Sequence, residues 1–249
     1  MIETTTSNMF DAGRHSRGKL GFVLLATEQT VHEDMITLIP KDVGIHFSRV
    51  AIPDSITPQS LTDLADGLAP AAQLLLPDGS LDAISYACTS GSLVLGEERV
   101  AAELNKGAPK AKASCLIVSV INAIKALGVT KVAMATPYLD SINELEKQYL
   151  AQHGIEVLNM AGMNLEKDSD MVRVTPEYIH DYAAAVDVPE AEAVFISCGA
   201  LRSIDIIERL EQTLGKPVIT SNQAMAWDMM RLIGVKDQQK GYGYLLENC

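Results

Sequence analysis

The sequence predicts an α/β protein built as two pseudo-symmetric, Rossmann-like lobes, each a parallel sheet flanked by helices, with an active site in the cleft between them. Three observations carry this expectation. The 249 residues are 47% apolar but only 5% aromatic, so Ala, Val, Ile and Leu must fill the core, which suits parallel strands covered by helices on both faces. Short apolar runs alternate with longer amphipathic segments, the rhythm of right-handed β–α crossovers. The pattern then restarts. Ala83 to Cys88 and Ala193 to Cys198 are both apolar runs ending in a cysteine, 110 positions apart, and runs ending at Thr27 and Thr136 lie 109 apart, which points to two similar lobes.

Taken in order, Leu20–Ala26 reads as a buried strand and Val43–Ile52 as a second. Pro58–Leu76 reads as a helix, with Thr57 as its cap and Pro58 preset for the first turn. Ala83–Ala87 is a strand running into Cys88. Helices follow over Ser92–Lys106 and over Cys115–Leu127, the second closed by Gly128. The next round opens with a strand over Val132–Thr136, a helix over Ser141–His153 closed by Gly154, and a strand over Ile155–Met160. A helix over Pro176–Val188 leads to the strand Ala193–Ser197, which ends at Cys198. A helix over Ile204–Leu214 stopped by Gly215, a short strand Val218–Thr220 and a long helix Asn222–Leu232 complete the chain. The first lobe is drawn at 18–114 plus 222–249 and the second at 115–221. Residues 1–17, rich in Thr, Ser and charge, read as a flexible lead-in.

Composition narrows the function. Asp plus Glu number 32 against 20 Lys plus Arg, a formal net charge of −12. That balance argues against nucleic-acid binding, which needs clustered cations facing phosphates. No run of about 18 apolar residues predicts a membrane span, and the N-terminus has no apolar signal-peptide run, so a cytoplasmic location is expected. The four cysteines, Cys88, Cys115, Cys198 and Cys249, form no CxxC pair. Neither a disulfide framework nor a compact zinc site is expected, and the thiols read as reduced. His15, His32, His46, His153 and His180 show no HxxxH spacing, so no metal is expected. Without GxxxxGK(S/T) or GxGxxG, nucleotide binding has no support. Gly241–Tyr244 lacks the flanking strand and helix of a phosphate loop and reads as a packed tail. Trp227 with Met225, Met229 and Met230 reads as core.

The chemistry is expected where strands end and helices begin, since that junction forms the binding crevice of open α/β sheets. Cys88-Thr89-Ser90-Gly91 and Cys198-Gly199-Ala200-Leu201 both fall there. Unpaired N–H groups at a helix start favour the thiolate and also suit carboxylates or enolate-like oxyanions. A cysteine after a buried strand is ordinarily a small core residue. Two at equivalent places in a repeat outweigh that, because a pseudo-twofold would bring them face to face. Cys115, placed within an apolar helix, and Cys249, the last residue, read as structural.

These two strand–Cys–helix units resemble the Asp/Glu/hydantoin racemase superfamily. Within it, Thr136-Pro137-Tyr138 and Thr220-Ser221-Asn222-Gln223-Ala224 resemble the branch containing maleate cis–trans isomerase and arylmalonate decarboxylase, over roughly Lys19 to Leu246. Pro77–Ile84 and Thr27–Thr30 are similar to racemase-like members of ectoine-utilisation pathways. The resemblance implies a cofactor-independent enzyme with one catalytic cysteine from each lobe, Cys88 and Cys198. Thr89, Ser90 and Tyr138 are expected to bind a substrate carboxylate, together with the Gly199–Ala200 turn. Decarboxylases of this branch keep only the second cysteine, so retention of both argues against decarboxylation. Maleate isomerases carry a neutral Asn after the first strand, where Glu28 now stands. A carboxylate there repels a dicarboxylate at close range and suits a substrate with an ammonium or amide group. Alternatively, Glu28 turns outward and Gln29 fills the position; both arrangements stay open. The polar run Glu166–Asp170 is also placed at the cleft, with no single residue singled out.

The first functional expectation is a two-thiol racemase or epimerase of a small amino-acid-like carboxylate, with one thiolate removing the α-proton and the opposite thiol returning one. The runner-up is maleate cis–trans isomerisation through covalent addition of Cys88, with Cys198 as acid and base. A third is a non-catalytic small-carboxylate-binding protein. A homo-oligomer is expected in each case.

Overall fold

Two four-stranded parallel sheets organise the molecule, seen in a computed structural model that describes residues 9–11 and 13–249. Part of the lead-in predicted over 1–17 therefore lies outside the described residues. Nearer the first strand, Arg17 pairs with Asp237 at 2.5 Å. The first sheet holds β1 (Lys19–Leu25), β2 (Gly44–Val50), β3 (Ala83–Tyr86) and β4 (Lys112–Cys115) in the order β2-β1-β3-β4. The second holds β5 (Lys131–Thr136), β6 (Glu156–Gly162), β7 (Ala193–Ile196) and β8 (Val218–Thr220) in the order β6-β5-β7-β8. One strand order is thus used twice, with β3 and β7, the strands that precede the two cysteines, at matching positions. All the pairings are parallel.

The central strands show why they read clearly. Leu20, Phe22, Val23 and Leu24 of β1 and all of β7 are fully buried, because helices cover both faces and no alternation survives. Each such Leu or Phe contributes about 1.5–3 kcal/mol by leaving water. Among the described residues no helix is long and apolar enough to cross a membrane.

Four expectations need correction. The segment predicted as one helix over Pro58–Leu76 is Pro58–Asp63, a 3-10 turn Leu64–Gly67, and Leu68–Gln73. Thr57 does cap it, accepting from the Ser60 N–H at 3.2 Å, but Pro70 cannot donate a helical bond and Gly67 weakens the middle. The helix predicted over Ser92–Lys106 is two, Thr89–Leu95 and Glu97–Gly107. They break at Gly96, whose φ of +80° lies outside any helix and suits glycine. A helix Val31–Leu38 was not foreseen. Neither was β4, whose short Lys-Ala-Ser-Cys run becomes a strand only by pairing with β3, a tertiary override of weak propensity. Cys115 consequently ends β4 and caps the helix Leu116–Ala126 instead of lying inside it.

The last long helix, Ser221–Leu232, packs against Leu116–Ala126 and returns to β3 and β4 of the first sheet. Met225, Met229 and Met230 are fully buried and Trp227 nearly so, the core role expected for them. Its buried Asp228 is satisfied by Ser119 Oγ at 2.8 Å and Asn122 Nδ2 at 3.0 Å.

Candidate active site

β3 delivers Cys88 directly to the start of the helix Thr89–Leu95, where Cys88 is the capping residue. The Gly91 N–H donates to its Sγ at 3.2 Å and Ser90 Oγ lies 3.5 Å away. Burial pushes the Cys88 thiol up, and these two contacts oppose the rise. Ser92 Oγ donates to the Cys88 carbonyl at 2.6 Å and locks the turn.

β7 delivers Cys198 differently. Cys198 has a φ of +96°, a conformation that costs an L-residue roughly 1–2 kcal/mol, and such strain recurs at sites that aim a side chain. Its Sγ accepts the Ala200 N–H at 3.4 Å and lies 4.0 Å from Met171 Sδ. Burial pushes this thiol far up, and the nearby Asp168 carboxylate adds to the rise. Both thiols accept hydrogen bonds and both feel Asp168, but in unequal measure: at Cys88 the Ser90 and Gly91 contacts outweigh the acid, whereas at Cys198 the acid outweighs the contacts from Tyr138 and Ala200.

Ser221, the first residue of the final long helix, ties them together. Its Oγ accepts the Cys198 N–H at 3.0 Å and lies 3.1 Å from Thr89 Oγ1. Asn222 next to it donates to the Gly199 carbonyl at 2.8 Å and to Asp34 at 2.7 Å. Burial lifts that Asp34 carboxyl to about 7. Thr30 Oγ1 donates to the Ala200 carbonyl at 2.8 Å, so residues of both lobes hold the turn after Cys198.

Cys88 and Cys198 line one cavity together with Leu25, Glu28, Ala87, Thr89, Tyr138, Asp168, Gly199 and Ala200. Of the predicted binding residues, Glu28, Thr89, Tyr138, Gly199 and Ala200 are in this lining. Ser90 is not; it stands behind Cys88. Tyr138 is placed by Thr136, whose Oγ1 accepts the Tyr138 N–H at 3.2 Å, and by Asn143, which donates to its carbonyl at 3.2 Å. Glu28 faces inward and Gln29 is exposed. Glu28 Oε1 accepts from the Thr30 and Val31 N–H groups at the start of the helix Val31–Leu38, while Oε2 is buried with no partner. Burial raises this carboxyl above its ordinary range, with the two N–H bonds opposing.

Asp168 is the lining residue of the run 166–170 that the sequence could not single out. It is buried, its carboxyl is raised by desolvation, and it accepts from Thr27 Oγ1 at 2.6 Å. Its segment is clasped to the loop 53–57 of the other lobe. Ser169 binds the Asp54 carboxylate through its N–H at 2.9 Å and its Oγ at 2.7 Å, and the Ile56 N–H reaches the Glu166 carbonyl at 2.9 Å. The enclosed volume is about 20 Å³, room for about one water. A wider groove of about 890 Å³ lies at the amino ends of β1 and β4, lined by Lys19, Lys110, Lys112 and Arg231. It holds no predicted site residue and lies away from the strand carboxyl ends where such folds bind ligands. Among the described residues no group of three or more His, Cys, Asp or Glu could hold a metal ion.

A family model described as arylmalonate decarboxylase matches residues 21–246. The chain belongs to this family. Among relatives of the family, the arylmalonate decarboxylase of Bordetella bronchiseptica is 29% identical over 200 residues, covering 78% of this chain and 82% of the relative. The maleate isomerase of Nocardia farcinica is 24% identical over 240 residues, covering 92% and 95%. The solved maleate isomerase Iso of Pseudomonas putida superposes at a TM-score of 0.85 with 22% identity over 93% of this chain and 98% of that one. A cysteine-to-serine variant of the Nocardia farcinica maleate cis–trans isomerase, solved with a covalently bound succinylcysteine intermediate, gives 0.85 with 21% identity over 93% and 99%. The two-lobed α/β fold is thus the family's, and the chain is an enzyme of the branch expected from its sequence. The relatives fit the runner-up, covalent cis–trans isomerisation, better than the racemase placed first.

Proposed function

We propose that this chain is a cis–trans isomerase of a small cis-unsaturated carboxylate of the maleate type, acting by covalent addition of Cys88. The observation that carries the proposal is the unlike setting of two thiols on one cavity. Burial raises both thiols, but Cys88 caps a helix and its Ser90 and Gly91 contacts, which outweigh Asp168 there, favour the nucleophilic thiolate. Burial and Asp168 hold Cys198 as the thiol, the form that can give a proton. The maleate isomerases among the relatives, one with a succinylcysteine, support the same division of labour.

The Cys88 thiolate adds to one alkene carbon, forming a C–S bond and moving the π-electrons onto the other carbon and its carboxylate. Thr89 and Tyr138 hydroxyls and the Gly199 N–H supply the donors for the charge developing there. Cys198 gives its proton to that carbon, leaving a saturated thioether free to rotate about the former double bond. The Cys198 thiolate then takes a proton back, the C–S bond breaks, and the trans alkene leaves with Cys88 restored.

The test is mass spectrometry beside product analysis. Incubated with maleate or its monoamide, Cys198→Ser is expected to gain one succinyl or succinamyl group on Cys88, Cys88→Ser none, and the unmodified protein to release the trans alkene. Absence of adduct and of trans product with both compounds refutes the proposal. A second reading, two-thiol racemisation of an amino-acid-like carboxylate, is favoured by one observation: Glu28 faces the cavity. Under it, the single-cysteine variants exchange the α-proton of one enantiomer with D₂O by NMR, and no thioether forms.

A further inference from the structure

The cavity carries two carboxylates and no base. Glu28 and Asp168 line it, while none of its lining residues is Lys, Arg or His. The cation nearest Glu28 is spent elsewhere: the Arg49 guanidinium donates to the carbonyls of Leu25 at 2.9 Å and Glu28 at 2.7 Å. Glu28 Oε2 is buried and unpartnered, and Glu28 and Asp168 are each only 4% exposed. A buried acceptor of this kind is costly to leave unpaired, and its natural complement is a donor on the ligand. The same lining carries the Thr89 and Tyr138 hydroxyls and the turn at Gly199, donors suited to a carboxylate.

We propose that Glu28 and Asp168 form a recognition pole for an N–H donor, so that the substrate is a monocarboxylate bearing an amide or ammonium group at its other end, not a dicarboxylate. This rests on the reading that the two-thiol cavity is where a small carboxylate reacts. A second carboxylate at the pole would face two buried acids at short range and low dielectric, whereas an amide or ammonium satisfies Oε2.

Saturated probes test binding without turnover. Calorimetric titration of the intact protein at neutral pH compares succinate, succinamate and 3-aminopropanoate. The better of the two donor-bearing probes is expected to bind at least tenfold tighter than succinate, and which one wins separates amide from ammonium. Glu28→Gln keeps an oxygen for the Thr30 and Val31 N–H groups, and Asp168→Asn leaves that cap untouched; each is expected to cut the preference at least fivefold. Succinate binding as tightly as the other two, an unchanged preference in both variants, or no binding of any probe overturns the proposal. Turnover of maleate and its monoamide is measured separately. A donor preference with neither alkene isomerised removes the isomerase reading and leaves the pole. Maleate turnover with succinate preferred does the reverse.

Discussion

Glu146 offers a direct test of how the second lobe is built behind Cys198. Its side chain is fully buried in the helix Asp140–Gln152. Oε1 accepts from Ser197 Oγ at 2.7 Å and Oε2 has no partner. Burial lifts the carboxyl from an ordinary 4.5 to about 8, with the Ser197 bond opposing. The folded protein thus holds this proton to about pH 8 while the unfolded chain releases it near 4.5. Between those values the folded state binds more protons, so its stability falls as pH rises and levels off above about 8. At about 1.4 kcal/mol per pH unit the displacement sets a ceiling of ~5 kcal/mol. Relaxation around a buried charge lowers such figures, so ~2–3 kcal/mol is the measurable expectation. In Glu146→Gln the amide oxygen still accepts from Ser197, and the NH₂ group faces the same unpartnered space as the protonated carboxyl. Urea denaturation at pH 5 and pH 9 is the assay. The variant should match the parent at pH 5 and exceed it by that amount at pH 9. The raised Asp34 is present in both proteins and cancels in the difference. Equal stability at pH 9 would show that Glu146 is hydrated or charged in the folded state, and its burial as a protonated carboxyl would be refuted.

Three shorter predictions concern the thiol loops. Because Cys198 sits at a φ of +96°, Cys198→Gly should resist urea better than Cys198→Ala by about 1 kcal/mol; the opposite order would mean the turn is unstrained. Ser221→Ala leaves the buried Cys198 N–H without its acceptor, and a loss of about 1–3 kcal/mol is expected by denaturation; no loss would mean water replaces the hydroxyl. Cys249 is the partly exposed thiol, while Cys88, Cys115 and Cys198 are buried, so iodoacetamide should label Cys249 first. Asp54→Ala, which removes the acceptor of both Ser169 bonds, should raise labelling of Cys88 severalfold and leave Cys249 unchanged; an unchanged Cys88 rate would show that the clasp does not govern access.

Much of this protein is written locally in its sequence. Parallel strands buried on both faces must be continuous apolar runs, so β1, β3, β5 and β7 were visible, and the repeat of Cys88 at Cys198 marked the doubled fold. Thr57, Pro58 and Gly215 signalled helix ends through their own backbone chemistry. Where elements depend on partners, local signals fail. Lys112–Cys115 becomes a strand only beside β3, and the helix Val31–Leu38 has its first N–H groups answered by Glu28, a residue valued at first for its charge. The site shows the same division. The two thiols could be named because each closes an apolar run. Ser221, Asp168 and the inward turn of Glu28 could not, since each depends on a contact across more than a hundred residues or on which way one side chain faces. Ser221 reaches Thr89 from 132 positions away and Asp168 reaches Thr27 from 141. Periodicity records what a residue's neighbours along the chain require of it; only the packing of one lobe against the other decides which polar groups share a cavity, and therefore what that cavity can bind.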